Sequence, residues 1–160
     1  MSRVRPSLAL SRRKIRPWRT RPTRLAGFEV VAAVAGRAEL KLAWRPELGQ
    51  YSGFLHAAMI GGMIDTACGF AAYSVSGHVL ASHFSVSCLA PATGAAFVAR
   101  AHVVKSGRRQ VFTHADLFAL DGAGERLVAT GAAILVPVAV ETAPRSVAAA
   151  TENRADASVR

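Results

Sequence analysis

One carboxylate lies where a globular chain seldom keeps a charge. Asp65 is in the middle of a small and apolar run, residues 54–73, which contains no Lys, Arg or Glu. Burying an unpaired carboxylate costs several kcal/mol or raises its pKa, and groups perturbed in this way concentrate at functional sites. The sequence therefore makes Asp65 a candidate functional residue. The alternative is an Asp that faces solvent or caps a helix.

The other reactive residue types show no recognised arrangement. The five histidines lack metal-ligand spacing, and no serine lies in a nucleophile elbow. Cys68 and Cys88 are not spaced as metal ligands either, and we interpret both as small buried residues in a reducing compartment. The glycines form no phosphate-binding fingerprint. The sequence thus predicts no metal, no organic cofactor and a cytoplasmic location.

The net charge of +10 is concentrated at the amino terminus. Residues 1–24 carry nine basic groups and no acid, residues 25–138 carry eight basic and seven acidic groups, and residues 139–160 carry three of each. We expect one domain at residues 25–138, because that length buries a sizeable core. A disordered basic extension precedes the domain and a loose tail follows it.

Three interpretations of the basic extension are open. Arg-rich, acid-free segments occur as nucleic-acid-binding or anionic-surface-binding tails and as organelle transit peptides. The third interpretation is a dispensable extension or a start codon placed too far upstream. Ser11-Arg12-Arg13 resembles part of a twin-arginine export signal, but Pro17-Trp18-Arg19 follows where that signal needs an apolar stretch, so we reject it.

The pattern between the two ends predicts a sheet around one helix. Residues 55–74 exceed strand length and are apolar on every face, which indicates a buried helix. No apolar stretch is long enough without interruption to predict a transmembrane segment. Runs with strand character, separated by Gly-containing turns, lie at residues 28–34, 37–44, 81–89, 95–105, 110–120 and 125–137. This order predicts an α+β fold, a curved antiparallel sheet of five to six strands wrapped around one long central helix, with an edge strand that pairs with a second copy.

The spacing of several residues within this predicted fold resembles the sequence pattern of a known family. Gln50 lies in a loop, His56-Ala57-Ala58 opens the helix, and Asp65 follows nine residues after the histidine. Leu89-Ala90-Pro91-Ala92 and Gly107-Arg108-Arg109 come later. Residues 24–138 resemble the hotdog-fold acyl-CoA thioesterases of the PaaI-like, 4-hydroxybenzoyl-CoA thioesterase group. That family shows Asn or Gln, then His-Gly-Gly, then an acid nine residues after the His, and later Leu-Arg-Pro-Ala and Gly-Arg-Arg.

The chain departs from the family pattern at three places. His-Gly-Gly is His56-Ala57-Ala58 here, the Arg before the proline is Ala90, and a position with Ser or Thr in many relatives is Ala81, with Ser82 beside it. The family uses the backbone N–H at the first Gly position, so a methyl group there need not abolish it.

The resemblance implies roles for several residues. The N–H of Ala57 polarises the thioester carbonyl, and Asp65 is either a general base on water or a nucleophile that forms an anhydride. Gln50 orients the water or the carbonyl, and His56 fixes the loop. The implied substrate-binding residues are Ala58, Ser82, Gly107, Arg108 and Arg109. The two arginines would contact coenzyme A phosphates, and the alternative for them is a solvated basic turn.

Helix geometry adds a constraint on the site. Nine residues at about 100° each put His56 and Asp65 on opposite sides of one helix. Two antiparallel copies of the helix can aim both at one carbon, in agreement with the implied homodimer, or dimer of dimers, with the site at its interface. The expected function is hydrolysis of an aromatic or short-to-medium-chain acyl-CoA.

Two functions other than thioester hydrolysis are alternatives for this sequence. The first is a non-catalytic acyl-CoA binding or sensing module, which the His-Ala-Ala sequence motivates. The second is a hotdog dehydratase or hydratase, which ranks last because no histidine falls near Asp65 on the helix.

Overall fold

The computed structural model describes residues 25–122 and 124–139. The basic extension and residues 140–160 lie outside this part of the chain. The interpretations of the extension and of the tail therefore stay predictions.

The described chain forms a six-stranded antiparallel sheet and one long helix, which confirms the predicted architecture. The elements in chain order are β1 (Glu29–Val34), β2 (Arg37–Ala43), α1 (Ala57–Ser76), β3 (Val79–Cys88), β4 (Ala96–Ser106), β5 (Val111–Asp121) and β6 (Gly124–Pro137). The spatial order of the strands is β1-β2-β4-β5-β6-β3. Two short 3₁₀ turns, Pro46–Leu48 and Tyr51–Gly53, lie in the predicted loop before the helix.

The helix begins two residues later than predicted, for a reason that matters to the site. Leu55 forms a β-bridge with Gly49 and donates its N–H to the carbonyl of Ala92 at 2.9 Å. His56 is extended, with φ −63° and ψ 140°, and caps the helix. The first helical residue is therefore Ala57.

The helix is buried on one side only. Eight of its 20 residues are buried against the inner face of the sheet: Ile60, Met63, Ile64, Ala67, Cys68, Phe70, Ala71 and Ala72. The inner face contributes fully buried side chains such as Leu40, Phe97 and Leu117. By length and hydropathy α1 is also apolar enough to cross a membrane, as core helices often are. The expectation of a helix buried all round is thus met only where the sheet covers it.

The edge strand β3 is largely uncovered. Eight of its ten residues are exposed, so exposure does not alternate along the strand as it does in β5. Leu80 and Phe84 expose 65% and 48% of their surface. A long edge strand with exposed apolar side chains offers unpaired backbone groups to another strand.

Close packing of β6 on the helix depends on a residue without a side chain. A Cβ at Gly131 would lie 2.5 Å from the carbonyl oxygen of Ser85 and 2.7 Å from Cγ2 of Ile64. In contrast, a Cβ at Gly69 of α1 would meet nothing within 4 Å.

We expect Gly131→Ala to lower the free energy of unfolding by about 1–3 kcal/mol, since the methyl group overpacks the sheet–helix contact. The matched change Gly69→Ala should raise it by about 0.5–1 kcal/mol, because alanine loses less backbone entropy in a helix. Urea unfolding of both variants measures the two effects. Equal stabilities would contradict the described packing of β6 on α1.

Candidate active site

The first turn of α1 leaves one backbone donor free. Nδ1 of His56 accepts the N–H of Ala58 at 3.0 Å, and the His56 carbonyl accepts the N–H groups of Met59 and Ile60 at 2.9 and 3.2 Å. The N–H of Ala57 has no hydrogen-bond partner among the described residues. A free N–H at the positive end of a 20-residue helix is suited to hold a developing negative charge.

The loop before the helix fixes the direction of this donor. The N–H of His56 donates to Leu48 at 2.9 Å, and the N–H of Gln50 donates to Phe54 at 2.8 Å. Ser52 and Gly53 take positive φ values of 60° and 72°, which closes the loop into a tight turn. His56 caps the helix, and its role in fixing the loop for catalysis stays a prediction. Because its Nδ1 accepts a hydrogen bond, that nitrogen carries no proton.

An open pocket of about 370 Å³ lies at this end of the helix. Its volume falls within the usual range of small-molecule sites. Two predicted site residues, Gln50 and Ala57, line the pocket together, and most of the remaining wall is apolar. The other lining residues are Phe54, Leu55, Ile60, Cys88, Leu89, Ala90, Pro91 and Ala92. The pocket therefore combines an amide side chain and a free N–H with an apolar wall.

Asp65 lies outside this pocket, farther along α1. Its Oδ1 atom is buried without a hydrogen-bond partner among the described residues, and burial raises the pKa of its carboxyl group. The sequence expectation of an unpaired carboxylate in an apolar run is thus met. Nearby Cys68 is buried, which raises the pKa of its thiol to about 11, so this thiol is not a nucleophile at neutral pH.

The remaining predicted binding residues also lie away from the pocket. Arg108 and Arg109 are exposed in the turn after β4, where the N–H of Gly107 donates to Gln110 at 2.9 Å. The pocket lies near the other end of this 11-residue strand, and such a strand spans roughly 35 Å. The Ser82 hydroxyl donates to the Ile134 carbonyl at 3.1 Å within a bulge of β3. One chain does not unite all the predicted residues.

The structure corrects the prediction for Cys88 and adds apolar residues to the site. Cys88 was interpreted as buried, but it is exposed and lines the pocket, because β3 is an uncovered edge strand. The apolar wall at Phe54 and Ile60 was not predicted as part of the site. The spacing of Leu89-Ala90-Pro91-Ala92 was the available signal, since this segment supplies part of the pocket wall.

Polar side chains in the described part of the chain also contact one another on strands β4, β5 and β6. Within residues 25–122 and 124–139, no group of three or more His, Cys, Asp or Glu is placed to hold a metal ion. His102 and His114 lie side by side on strands β4 and β5, with ring centroids 5.6 Å apart. His114 shares a hydrogen-bonded contact of 3.0 Å with Thr130, which donates to Asp116 at 2.8 Å.

The fold and the pocket together define a class: a curved antiparallel sheet around one helix whose amino-terminal end opens into an apolar site. The sequence pattern of the thioesterase superfamily matches residues 52–125. A solved thioesterase family protein from Silicibacter pomeroyi is 36% identical, with a TM-score of 0.71, over 74% of this chain and 89% of that one. The chain therefore belongs to the thioesterase superfamily and has its hotdog fold. No curated protein matches the chain significantly.

More distant structures share the fold. The PaaI protein of the phenylacetic acid degradation operon of E. coli is 16% identical, with a TM-score of 0.68, over 76% of this chain and 86% of that one. A putative esterase from Mycobacterium tuberculosis is 21% identical, with a TM-score of 0.66, over 74% of this chain and 97% of that one. The predicted PaaI-like hotdog architecture is confirmed.

We expect Asp65→Asn to stabilise the protein at neutral pH. The folded-state pKa of Asp65 is raised above the ordinary value of 3.8, so the folded state binds more protons and its stability falls as pH rises through the raised pKa. The amide removes this loss, and the difference from wild type should vanish below pH 3.8. Urea unfolding across this pH range measures it.

Asp116→Asn is the matched control, because the Asp116 carboxylate already accepts the Thr130 hydroxyl and its amide should not raise the stability. An Asp65→Asn variant that is less stable than wild type at neutral pH would show that the carboxylate has a partner after all.

Proposed function

We propose that the protein is an acyl-CoA thioesterase that hydrolyses an aromatic or short-to-medium-chain acyl-CoA to the free acid and coenzyme A. The observation that carries the proposal is the free N–H of Ala57, a residue that lines an apolar pocket together with Gln50. A pocket of about 370 Å³ suits a small acyl group. Membership of the thioesterase superfamily supports the same reaction class.

In the proposed mechanism the thioester carbonyl oxygen accepts the N–H of Ala57. As the carbonyl carbon becomes tetrahedral, its oxygen gains negative charge, which this donor and the helix dipole stabilise. The Gln50 amide orients the attacking water or the carbonyl. The C–S bond then breaks, and coenzyme A leaves as a thiol once its sulfur is protonated.

Asp65 supplies the base or the nucleophile in this scheme, and it comes from a second copy of the chain. Asp65 does not line the pocket of its own chain, and helix geometry directs it away from His56. The uncovered strand β3, with exposed Leu80 and Phe84, supports pairing across a two-fold axis. A homodimer, or a dimer of dimers, would then combine Ala57 and Gln50 of one chain with Asp65 of the other.

A raised pKa suits either role of this carboxylate. Desolvation disfavours the charged form of Asp65, which makes the ionised group a stronger base. The route through an anhydride uses the same carboxylate as a nucleophile on the carbonyl carbon. Both routes end with one water consumed and one proton delivered to coenzyme A.

The proposed pairing of two chains would also bring basic side chains to bound coenzyme A. Arg108 and Arg109 are exposed and have no ion pair among the described residues. They lie at the end of β4 remote from the pocket, so they would reach the phosphates of a substrate bound mainly by another chain. The alternative is a solvated basic turn.

We predict that Asp65→Asn lowers kcat by about 10²–10⁴-fold, the usual contribution of a general acid–base group. Release of coenzyme A from a panel of aromatic and straight-chain acyl-CoAs measures turnover and names the acyl class. Asp116→Asn should retain wild-type turnover. Activity indifferent to Asp65→Asn would remove Asp65 from the mechanism.

Two other outcomes of this panel point to the alternative functions. Tight acyl-CoA binding without turnover by the wild type would indicate a binding or sensing module, and Ala57-Ala58 in place of Gly-Gly would be the first feature to revert. Reversible hydration of an enoyl-CoA would indicate a hydratase, for which the helix offers no histidine near Asp65.

We predict that Ala57→Pro lowers kcat by about 10²–10³-fold while the fold is kept. Ala57 is the first helical residue, a position where proline is tolerated and where its ring carbon replaces the hydrogen of the N–H group. Loss of one such donor has this effect in other enzymes. Extended backbone at His56 is compatible with a following proline.

Mixing this variant with Asp65→Asn tests whether two chains share the site. After subunit exchange, each mixed dimer has one intact site, so about a quarter of the wild-type sites should return in a two-fold symmetric dimer. Each variant alone is the control. Failure of an exchanging mixture to regain activity would mean that both groups act within one chain.

A further inference from the structure

We propose that Arg126 is a positioning residue for the candidate active site. Its guanidinium group clamps the loop between β3 and β4, and this loop in turn holds the start of α1 and the free N–H of Ala57. The proposal deepens the proposed function and rests on it for its kinetic consequence. It assigns a role to a side chain on β6 that does not line the pocket.

The clamp consists of three hydrogen bonds from one guanidinium group. Nη1 of Arg126 donates to the carbonyl of Pro91 at 3.1 Å. Nη2 donates to the carbonyl of Thr93 at 3.3 Å and to its hydroxyl at 3.1 Å. The two carbonyl groups belong to the residues before and after Ala92, so the fork holds the two residues between which Ala92 lies.

Ala92 connects the loop to the active-site donor. It is buried, and its carbonyl accepts the N–H of Leu55 at 2.9 Å. Leu55 immediately precedes His56, the cap of α1, and Ala57 follows. A shift of the Ala92 carbonyl would therefore move the residues that set the direction of the Ala57 N–H group.

Few other bonds hold this stretch of the loop. The N–H groups of Leu89 and Ala90 both donate to Val128, and the N–H of Ala95 donates to Leu120. Between these anchors, the side-chain hydrogen bonds that reach residues 91–93 within the described part of the chain all come from Arg126. Pro91 itself has no N–H to donate.

Arginine is suited to this task and lysine is not equivalent. A planar guanidinium presents several donors in a fixed geometry and can hold two acceptors at once, whereas an ammonium group is a compact point charge. Arg126 is exposed, so its removal should leave the buried core intact. Its effect is then local to the loop and the helix start.

The kinetic test compares Arg126→Ala and Arg126→Lys with the matched control Arg37→Ala. Arg37 is an exposed arginine at the far end of β2 from the pocket. We expect Arg126→Ala to lower kcat by about 10–100-fold with KM nearly unchanged, since small displacements of a catalytic donor have effects of this size. Arg126→Lys should recover part of the loss, and added guanidinium ion should recover part of it in Arg126→Ala.

Hydrogen exchange supplies a readout that does not depend on turnover. In Arg126→Ala the Leu55 amide should exchange faster than in wild type and in Arg37→Ala, because its acceptor on Ala92 is no longer held. Unchanged exchange at Leu55 would overturn the clamp. Unchanged kcat in an active enzyme would overturn the positioning role.

The failure of this proposal is distinguishable from the failure of the proposed function. A wild type that releases no coenzyme A from any acyl-CoA of the panel refutes the thioesterase and leaves the exchange measurement to decide the clamp. In that case faster exchange of the Leu55 amide in Arg126→Ala alone supports it. Equal exchange in all variants overturns it.

Discussion

One sheet covers one side of a helix, and α1 is apolar on more than one side. The inner face of the six strands buries residues such as Met63 and Ala67, while the opposite side of α1 keeps Asp65 and a row of small residues only partly covered. The strand that would have extended the cover, β3, is at the sheet edge and is itself exposed. A single chain therefore leaves part of the surface of α1 and the apolar side chains of β3 uncovered.

The same uncovered surface bears on the proposed division of the catalytic groups between two chains. A helix offers a backbone donor only at its amino terminus, where the N–H groups lack intrahelical partners. A carboxylate in the middle of that helix is remote from the donor of its own chain. In the proposed dimer one contact between the chains both covers the exposed apolar surface and completes the site. The copy that pairs with β3 also supplies its Asp65 carboxylate to the pocket.

The sequence allowed much of this to be predicted. Hydrophobic length and turn signals gave the number, type and order of the elements, and strand limits differ by only a few residues. Asp65 could be identified because a charged residue within an apolar run is apparent from the sequence alone. The pocket wall was harder to predict, since Ile60 and Cys88 come together only through the sheet order. Arg126 gave no signal, because its acceptors are two backbone carbonyl groups and the Thr93 hydroxyl, all more than 30 residues away in the chain.

The two proposed catalytic groups differ in how much sequence change they tolerate. The N–H of Ala57 belongs to the backbone, and the His56 cap satisfies the N–H of Ala58 whatever side chain that residue carries. Alanine in place of glycine here keeps both donors and lowers the entropic cost of the helix by about 0.5–1 kcal/mol per residue. The methyl groups of Ala57 and Ala58 are exposed, so they do not compete with core packing. The departure from His-Gly-Gly therefore alters the surroundings of the donor rather than the donor itself, whereas the carboxylate of Asp65 has no backbone substitute.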